Sequence, residues 1–363
     1  MRRMKWNCTI WGVLIWVGLL TGCSSSYRMV TTVRSDGTLH RKVFAYADST
    51  FLSGDRSHNP YWFALDDRWT VVKTDSVLKE DLLGESQRFN VWVEATFHFP
   101  DDSAAWRAKE PWMVSMAEPK EQLKRRFRWF YTYHEYRCRF PELADKGPVA
   151  LENYLTLDEQ KLLFGEGLQK YTWMNGAEMK DRLDVLSDKF QKWLNRTQYE
   201  LCLEALTRLR GSNQEDTAWV VDRDRIYQWM EQSKKEISDL SPNKLCQWLD
   251  EYYRKDDYSA FYAAHAQSIE EWYEQRIRVV DLFGGQIKFE LNMPGRLTST
   301  NARLTEENGV LVWKVDPYRL LQGDCYLEAQ SRTVNVWAFV VTAFLIVLPF
   351  FLWGLRRRKR NKE

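Results

Sequence analysis

The sequence predicts an α+β protein: a mostly antiparallel sheet with an inserted helical bundle, followed by a single C-terminal transmembrane helix. Three observations carry that prediction. Apolar residues alternate with a period of two in the first and last parts of the chain, and recur at helical spacing between about Leu157 and Phe283. A run of 20 uncharged residues, Val336 to Leu355, then ends in Arg356-Arg357-Arg358-Lys359-Arg360. The segments follow as residues 1–22, a signal peptide; 23–150, the first part of the sheet domain; 151–285, the helical insertion; 286–332, the β segment completing the sheet; 335–355, the transmembrane helix; and 356–363, a basic tail.

The N-terminus has Arg2, Arg3 and Lys5, then an apolar stretch from Trp6 to about Leu20, then Leu20-Thr21-Gly22-Cys23. Small residues before a cysteine match the lipobox of a bacterial lipoprotein signal, making Cys23 the lipid attachment point and the first mature residue. The alternative, an uncleaved anchor, is disfavoured because about 15 apolar residues fall short of the ~20 needed to cross the hydrocarbon.

In the mature chain, two β-prone runs flank Asp36-Gly37, a pair that favours a tight hairpin turn. Residues 51 to 87 give no clear pattern. In "RFNVWVEATFHFP", Phe89, Val91, Val93, Ala95, Phe97 and Phe99 point one way and Arg88, Asn90, Trp92, Glu94, Thr96 and His98 the other, a half-buried strand ended by Pro100. "RRFRWFYTYHEYRCRF" carries aromatic residues on both alternating faces, Trp129, Tyr131 and Tyr133 on one of them. It reads as a central strand covered on both sides, preceded by a short helix around Pro119 to Lys124.

Helical spacing begins near Leu157, with Thr156 or Asp158 as the cap. A long helix follows, with Leu183, Leu186, Phe190, Trp193, Leu194, Leu201 and Leu209 on one stripe and Gly211 as its stop. Further helices are expected over Thr217 to Ser238, Pro242 to Arg254 and Asp257 to Phe283; Ser241-Pro242 is a good N-cap and first-turn pair. The block lies between strand-rich stretches and reads as an insertion or lid. After Gly284-Gly285, Ile287, Phe289, Leu291 and Met293 alternate with Lys288, Glu290 and Asn292, Pro294-Gly295 suits a type II turn, and a hairpin turns at Asn308-Gly309. "CYLEAQS" closes the sheet just before the membrane.

Val336 to Leu355 spans about 30 Å as a helix. By the positive-inside rule the Arg356 to Arg360 cluster is cytoplasmic, which places the body on the same side as a lipid on Cys23. Fewer than ten residues separate Cys23 from the first strand, about 30 Å when extended, so both anchors are expected in one membrane. The expected location is therefore the bacterial inner membrane, with the body on the periplasmic side. Nine of the 52 basic residues lie in the two ends; setting them and Glu363 aside leaves 43 basic against 49 acidic residues in the body. An acidic body disfavours a nucleic-acid partner.

The segment from Lys288 to Ser331 combines a strand, Met293-Pro294-Gly295, a Thr/Asn-rich piece from Thr298 to Asn301, Asn308-Gly309, a strand with Trp313 and a last strand with Ala329. With the lipobox and C-terminal helix, this pattern resembles the membrane-anchored lipoproteins of the LppM type. The resemblance implies an α+β fold with a modest sheet and an envelope lipoprotein able to bind lipid in a hydrophobic cavity. It covers about a fifth of the chain, and the helical block departs from the small-family pattern.

No phosphate loop, Gly-x-Ser-x-Gly elbow, Cys-x-x-Cys or His-Glu-x-x-His occurs, and the five histidines are dispersed. No cofactor or metal is expected, and no enzymatic activity. Asp66-Asp67, Asp101-Asp102 and Asp256-Asp257 read as turns or helix starts rather than acid/base pairs. Cys138, Cys202, Cys246 and Cys325 allow three pairings in an oxidising space, Cys202 with Cys246 being the first choice, against buried free thiols. Thirteen of the 18 tryptophans lie in the body, where aromatic surfaces bind sugars or line acyl-chain cavities. Trp92, Trp129, Tyr131, Tyr133 and Trp313 are the candidate ligand or interdomain contacts; Trp92, among the polar residues of its strand, either meets the helical block or faces a ligand. The expected function is a non-enzymatic envelope lipoprotein binding a lipid or hydrophobic ligand beside the bilayer. The alternative is an assembly or signalling scaffold that binds a protein partner through its helical insertion.

Overall fold

The computed structural model describes residues 26–82, 85–98, 106–164, 171, 173–210, 222–302, 304–306 and 308–360. The signal peptide, Cys23, Phe99, Pro100, Asp101-Asp102 and Gly211 lie outside them. The chain forms two compact units, a helical one over Leu143–Gly285 and a β unit built from Ser25–Glu142 and Gln286–Glu363.

The β unit opens with β1 (Ser26–Val33) and β2 (Thr38–Ala45) around the Asp36-Gly37 turn. Gly37 has φ +95°, a conformation costly for residues with a Cβ. The Asp36 carboxylate accepts from the Thr38 backbone N–H (2.9 Å) and hydroxyl (2.8 Å). Helix α1 (Ser49–Ser53) is followed by β3 (Thr70–Leu82) and β4 (Glu85–His98). On β4, Phe89, Val91, Val93, Ala95 and Phe97 are all buried, as the alternation requires. Then come α2 (Val114–Ala117), β5 (Lys120–Phe127) and β6 (Tyr131–Phe140).

After the helical unit the chain returns as β7 (Gln286–Asn292), β8 (Arg296–Thr300), β9 (Leu304–Thr305), β10 (Leu311–Val315), a short helix at Pro317–Leu320, and β11 (Cys325–Val334). The predicted single sheet is in fact two. The first has the order β3-β4-β2-β1-β7-β10-β9, the second β5-β6-β11-β8. All pairings are antiparallel except β1 with β7. The switch lies at Pro294-Gly295. Gly295 has φ +72°, and a Cβ there would stand 2.3 Å from the Arg332 carbonyl oxygen, so a glycine carries the chain from β7 into β8 of the other sheet.

Two local expectations are corrected. The run Arg125 to Phe140 is a hairpin turning at Arg128 to Phe130, and the expected helix around Pro119 to Lys124 is strand β5. Strand β6 is central in its sheet but covered on one face: Thr132, His134, Tyr136, Cys138 and Phe140 are buried, while Tyr133 on the other face stays exposed. Strand pairing decides these cases, because an eight-residue polar stretch such as β5 has no period strong enough to choose for itself.

A buried ion pair joins the two sheets. Arg41 of β2, fully buried, donates to both Glu121 oxygens on β5 (2.8 and 2.6 Å) and to the Thr31 hydroxyl (2.9 Å). Its guanidinium lies 4.9 Å from the Trp106 ring and 5.8 Å from both Phe97 and Phe289. Glu121 also accepts from Trp106 Nε1 (2.9 Å) and from the Tyr136 hydroxyl.

The helical unit contains α3 (Leu157–Leu163), α4 (Gly176–Arg210), α5 (Arg223–Gln232), α6 (Pro242–Tyr253) and α7 (Asp257–Asp281). Thr156 and Glu159 form a reciprocal capping box, and Ser241 caps α6 ahead of Pro242. Trp193 sits at the centre, with Phe190 at 5.0 Å, Phe283 at 5.8 Å and its indole N–H on the Val149 carbonyl (2.8 Å). Counting the Pro317–Leu320 turn as α8, the last element is α9 (Val336–Arg360).

Candidate functional site

Strand β11 ends at Val334 and α9 begins at Val336, so a single residue, Asn335, joins sheet to helix. Asn335 is bonded on every side. Its backbone N–H donates to the Phe130 carbonyl (2.9 Å) and its side-chain amide to the carbonyls of Arg128 (2.7 Å) and Trp129 (3.2 Å). Its amide oxygen accepts from the Thr132 hydroxyl (2.9 Å). The β5–β6 turn and the first turn of α9 are thereby tied together.

Aromatic rings extend the clamp. Trp337 stacks on Phe127 at 6.2 Å and meets Trp129 edge-on at 5.2 Å. Phe339 contacts Phe130 (4.6 Å) and Tyr131 (6.2 Å). Trp129 Nε1 donates to the Thr342 hydroxyl at 2.8 Å. Thr342 is six residues past Val336, about 9 Å along the helix axis, so the hairpin tip runs beside the first two turns of α9. The segment Val336–Trp353 is long and apolar enough to span a membrane, and its side chains are almost entirely exposed.

Of the residues the sequence singled out, Trp129 and Tyr131 are thus brought together on α9, with Tyr133 exposed one step along the strand. Trp92 and Trp313 stand elsewhere. Trp92 is half-buried on the outer face of the first sheet, 5.6 Å from Phe44, with Lys42 over its ring and its indole N–H on Glu94 (3.3 Å). Trp313 is buried against Phe289 and donates to the Asn301 side chain (3.0 Å). Sequence reasoning missed Asn335, Phe127 and Phe130; the available signal was that no Gly/Ser linker separates "CYLEAQSRTV" from the apolar run.

The cysteine expectation is corrected: Cys202 and Cys246 are buried free thiols, as is Cys138, and Cys325 is half-buried. Burial pushes the thiols up, Cys246 to about 12 and Cys202 further, so neither is activated. All four body thiols are expected to take up maleimide in guanidinium chloride without reductant; a shortfall of two would show a disulfide.

The acidic pairs within the described residues are turn and cap groups. Asp66 accepts from Arg68, and Asp257 opens α7. The side chains of His134 and Glu135 point to opposite faces of β6. Burial first, and then the charge of Arg125, lower the His134 pKa, keeping the imidazole neutral. Among the described residues no group of three His, Cys, Asp or Glu side chains is placed to hold a metal ion.

Compared with known proteins, the chain matches no family model and no curated protein. A solved structure similar to it is the NMR structure of the folded domain of Mycobacterium tuberculosis LppM. The identity is 12%, over 86% of this chain and 91% of that one, with a TM-score of 0.26. A likeness of that size is a weak structural relation to an LppM-type lipoprotein domain and carries no functional argument.

Proposed function

We propose that this is a non-enzymatic envelope lipoprotein, anchored in the inner membrane by a lipid on Cys23 and by α9, that holds its periplasmic body in a fixed orientation as a scaffold for a protein partner. The observation that carries this reading is the one-residue junction at Asn335, with four hydrogen bonds and a ring cluster around it. A body that carries a ligand away from the bilayer works on a flexible tether; a clamped helix suits a platform whose angle matters. The other reading is a lipid held in an apolar cavity; in the β unit the groups buried between the sheets include the charged pair Arg41–Glu121, beside Trp106 and Phe289.

The test is to insert Gly-Ser-Gly-Ser between Asn335 and Val336 of the full chain in its bacterial host, with a photocrosslinking residue at Val185, an exposed position of α4. The expected result is a discrete protein adduct in the unmodified chain that is lost on insertion, while the membrane-bound amount stays the same. An adduct indifferent to the insertion sinks the fixed-orientation reading. A co-purifying, organic-extractable lipid without any protein adduct returns the assignment to a lipid binder.

A further inference from the structure

Across the second sheet, one register row places Arg126 of β5 opposite Tyr133 of β6, Tyr133 opposite Arg332 of β11, and Arg332 opposite Arg296 of β8. Directly opposed residues share a face, so three arginines and a tyrosine line one face over about 14 Å, four strands at ~4.8 Å spacing. Like charges directly opposite destabilise a sheet, yet Arg332 faces Arg296. Local acid compensates them only in part: Arg126 pairs with Glu135 at 3.8 Å, whereas Arg332 lies over the Tyr131 ring at 4.7 Å and Arg296 makes no ion pair with a described residue. Arg128, in the hairpin turn, likewise makes none among the described residues.

The level of this row is fixed by α9. Arg332 lies three residues before Asn335 on β11, about 10 Å by strand rise, while Asn335 is bonded to the backbone of Arg128, Trp129 and Phe130 at the hairpin tip. The arginine row therefore stands about 10 Å on the body side of the junction, and the exposed rings of Phe127, Trp129 and Phe130 lie between it and the first turns of α9. If α9 spans a bilayer, those rings lie among the lipids and the arginines at the headgroups, where aromatic and basic side chains concentrate.

We propose that the tip of the β5–β6 hairpin dips into the leaflet beside α9, and that Arg126, Arg296 and Arg332 bind the phosphate groups of anionic phospholipids in that leaflet. Guanidinium forks match phosphate oxygens bidentately, and anionic headgroups supply a counter-charge to Arg296 and Arg332, which make no ion pair with a described residue. The inference rests on the reading of α9 as a membrane span.

The test uses the full chain in nanodiscs of phosphatidylcholine and phosphatidylglycerol in equal parts, with lipids retained after release counted by native mass spectrometry. Because the C-terminal basic cluster attracts the same lipids, the comparison is made with R356Q, R357Q, R358Q, K359Q and R360Q all present. Each basic group near an anionic surface is worth about fivefold in partition. The expected result is several-fold enrichment of phosphatidylglycerol that drops at least threefold on adding R126Q, R296Q and R332Q. It is expected to weaken also at about 0.5 M NaCl with the arginines intact, through screening; that arm decides the matter if the substituted chain misfolds. No enrichment, or enrichment unchanged by the substitutions or by salt, overturns the proposal. Failure to enter discs of pure phosphatidylcholine defeats the span itself, whereas entry without enrichment defeats the arginine row alone.

Discussion

Replacing Arg41 with leucine is expected to destabilise the β unit by about 3–5 kcal/mol, the usual cost of leaving one member of a buried ion pair behind. Glu121 would keep its bonds from Trp106 and Tyr136 but lose both guanidinium donors. The cost should depend on pH. In the native chain burial drives the Glu121 pKa up, but the charge and hydrogen bonds of Arg41, with those of Trp106 and Tyr136, outweigh it and hold the carboxyl below its ordinary value of 4.5. A group with a depressed folded pKa contributes stability that is present above its unfolded pKa and lost as pH falls through the folded one. The native β unit should therefore weaken on acidification below about 4.5. Without Arg41, burial raises the carboxyl instead, so the variant's deficit should shrink as pH falls toward 5. The double variant R41L/E121L should recover most of the loss, because apolar replacements of a buried pair are often neutral or better. Denaturant unfolding of the full chain in detergent at pH 7, at pH 5 and below about pH 4 reads all three; a single-variant loss under about 1 kcal/mol would refute the assignment.

Trp193→Ala is expected to cost the helical unit about 3–5 kcal/mol, as large aromatic deletions in filled cores do. Trp193 is 1% exposed and joins α4 to Phe283 and to the Val149 carbonyl, so its removal opens a cavity and strands an acceptor at once. Trp193→Phe should lose less, roughly the indole hydrogen bond at about 1 kcal/mol plus the volume difference. Hydrogen exchange resolved by segment is the direct measurement, with accelerated exchange expected across 176–210 and 257–284. Unchanged protection there would mean that the ring does not hold the bundle together.

What the sequence determined by itself is whatever local physics fixes. Asp36-Gly37 sets a turn because few other pairs tolerate its backbone, β4 declares its buried face by alternation, Thr156 and Ser241 announce helix starts through the donors they satisfy, and Val336 to Leu355 has no stable home in water. The destinations of these elements were decided in three dimensions. Whether β7 and β8 share a sheet depends on a carbonyl of Arg332, 37 residues after Gly295. Nothing near Arg41 in the chain shows that its partner is Glu121, 80 residues on. The aromatic run at 125–140 has the composition of a doubly covered strand, and only pairing with β11 and the first turns of α9 reveals a hairpin with a half-exposed face. Cys202 with Cys246 was the first choice of pair, yet both are free thiols. In each case the deciding interaction joins residues far apart in sequence, whose loop-closure entropy is offset by packing that exists when the whole unit has formed.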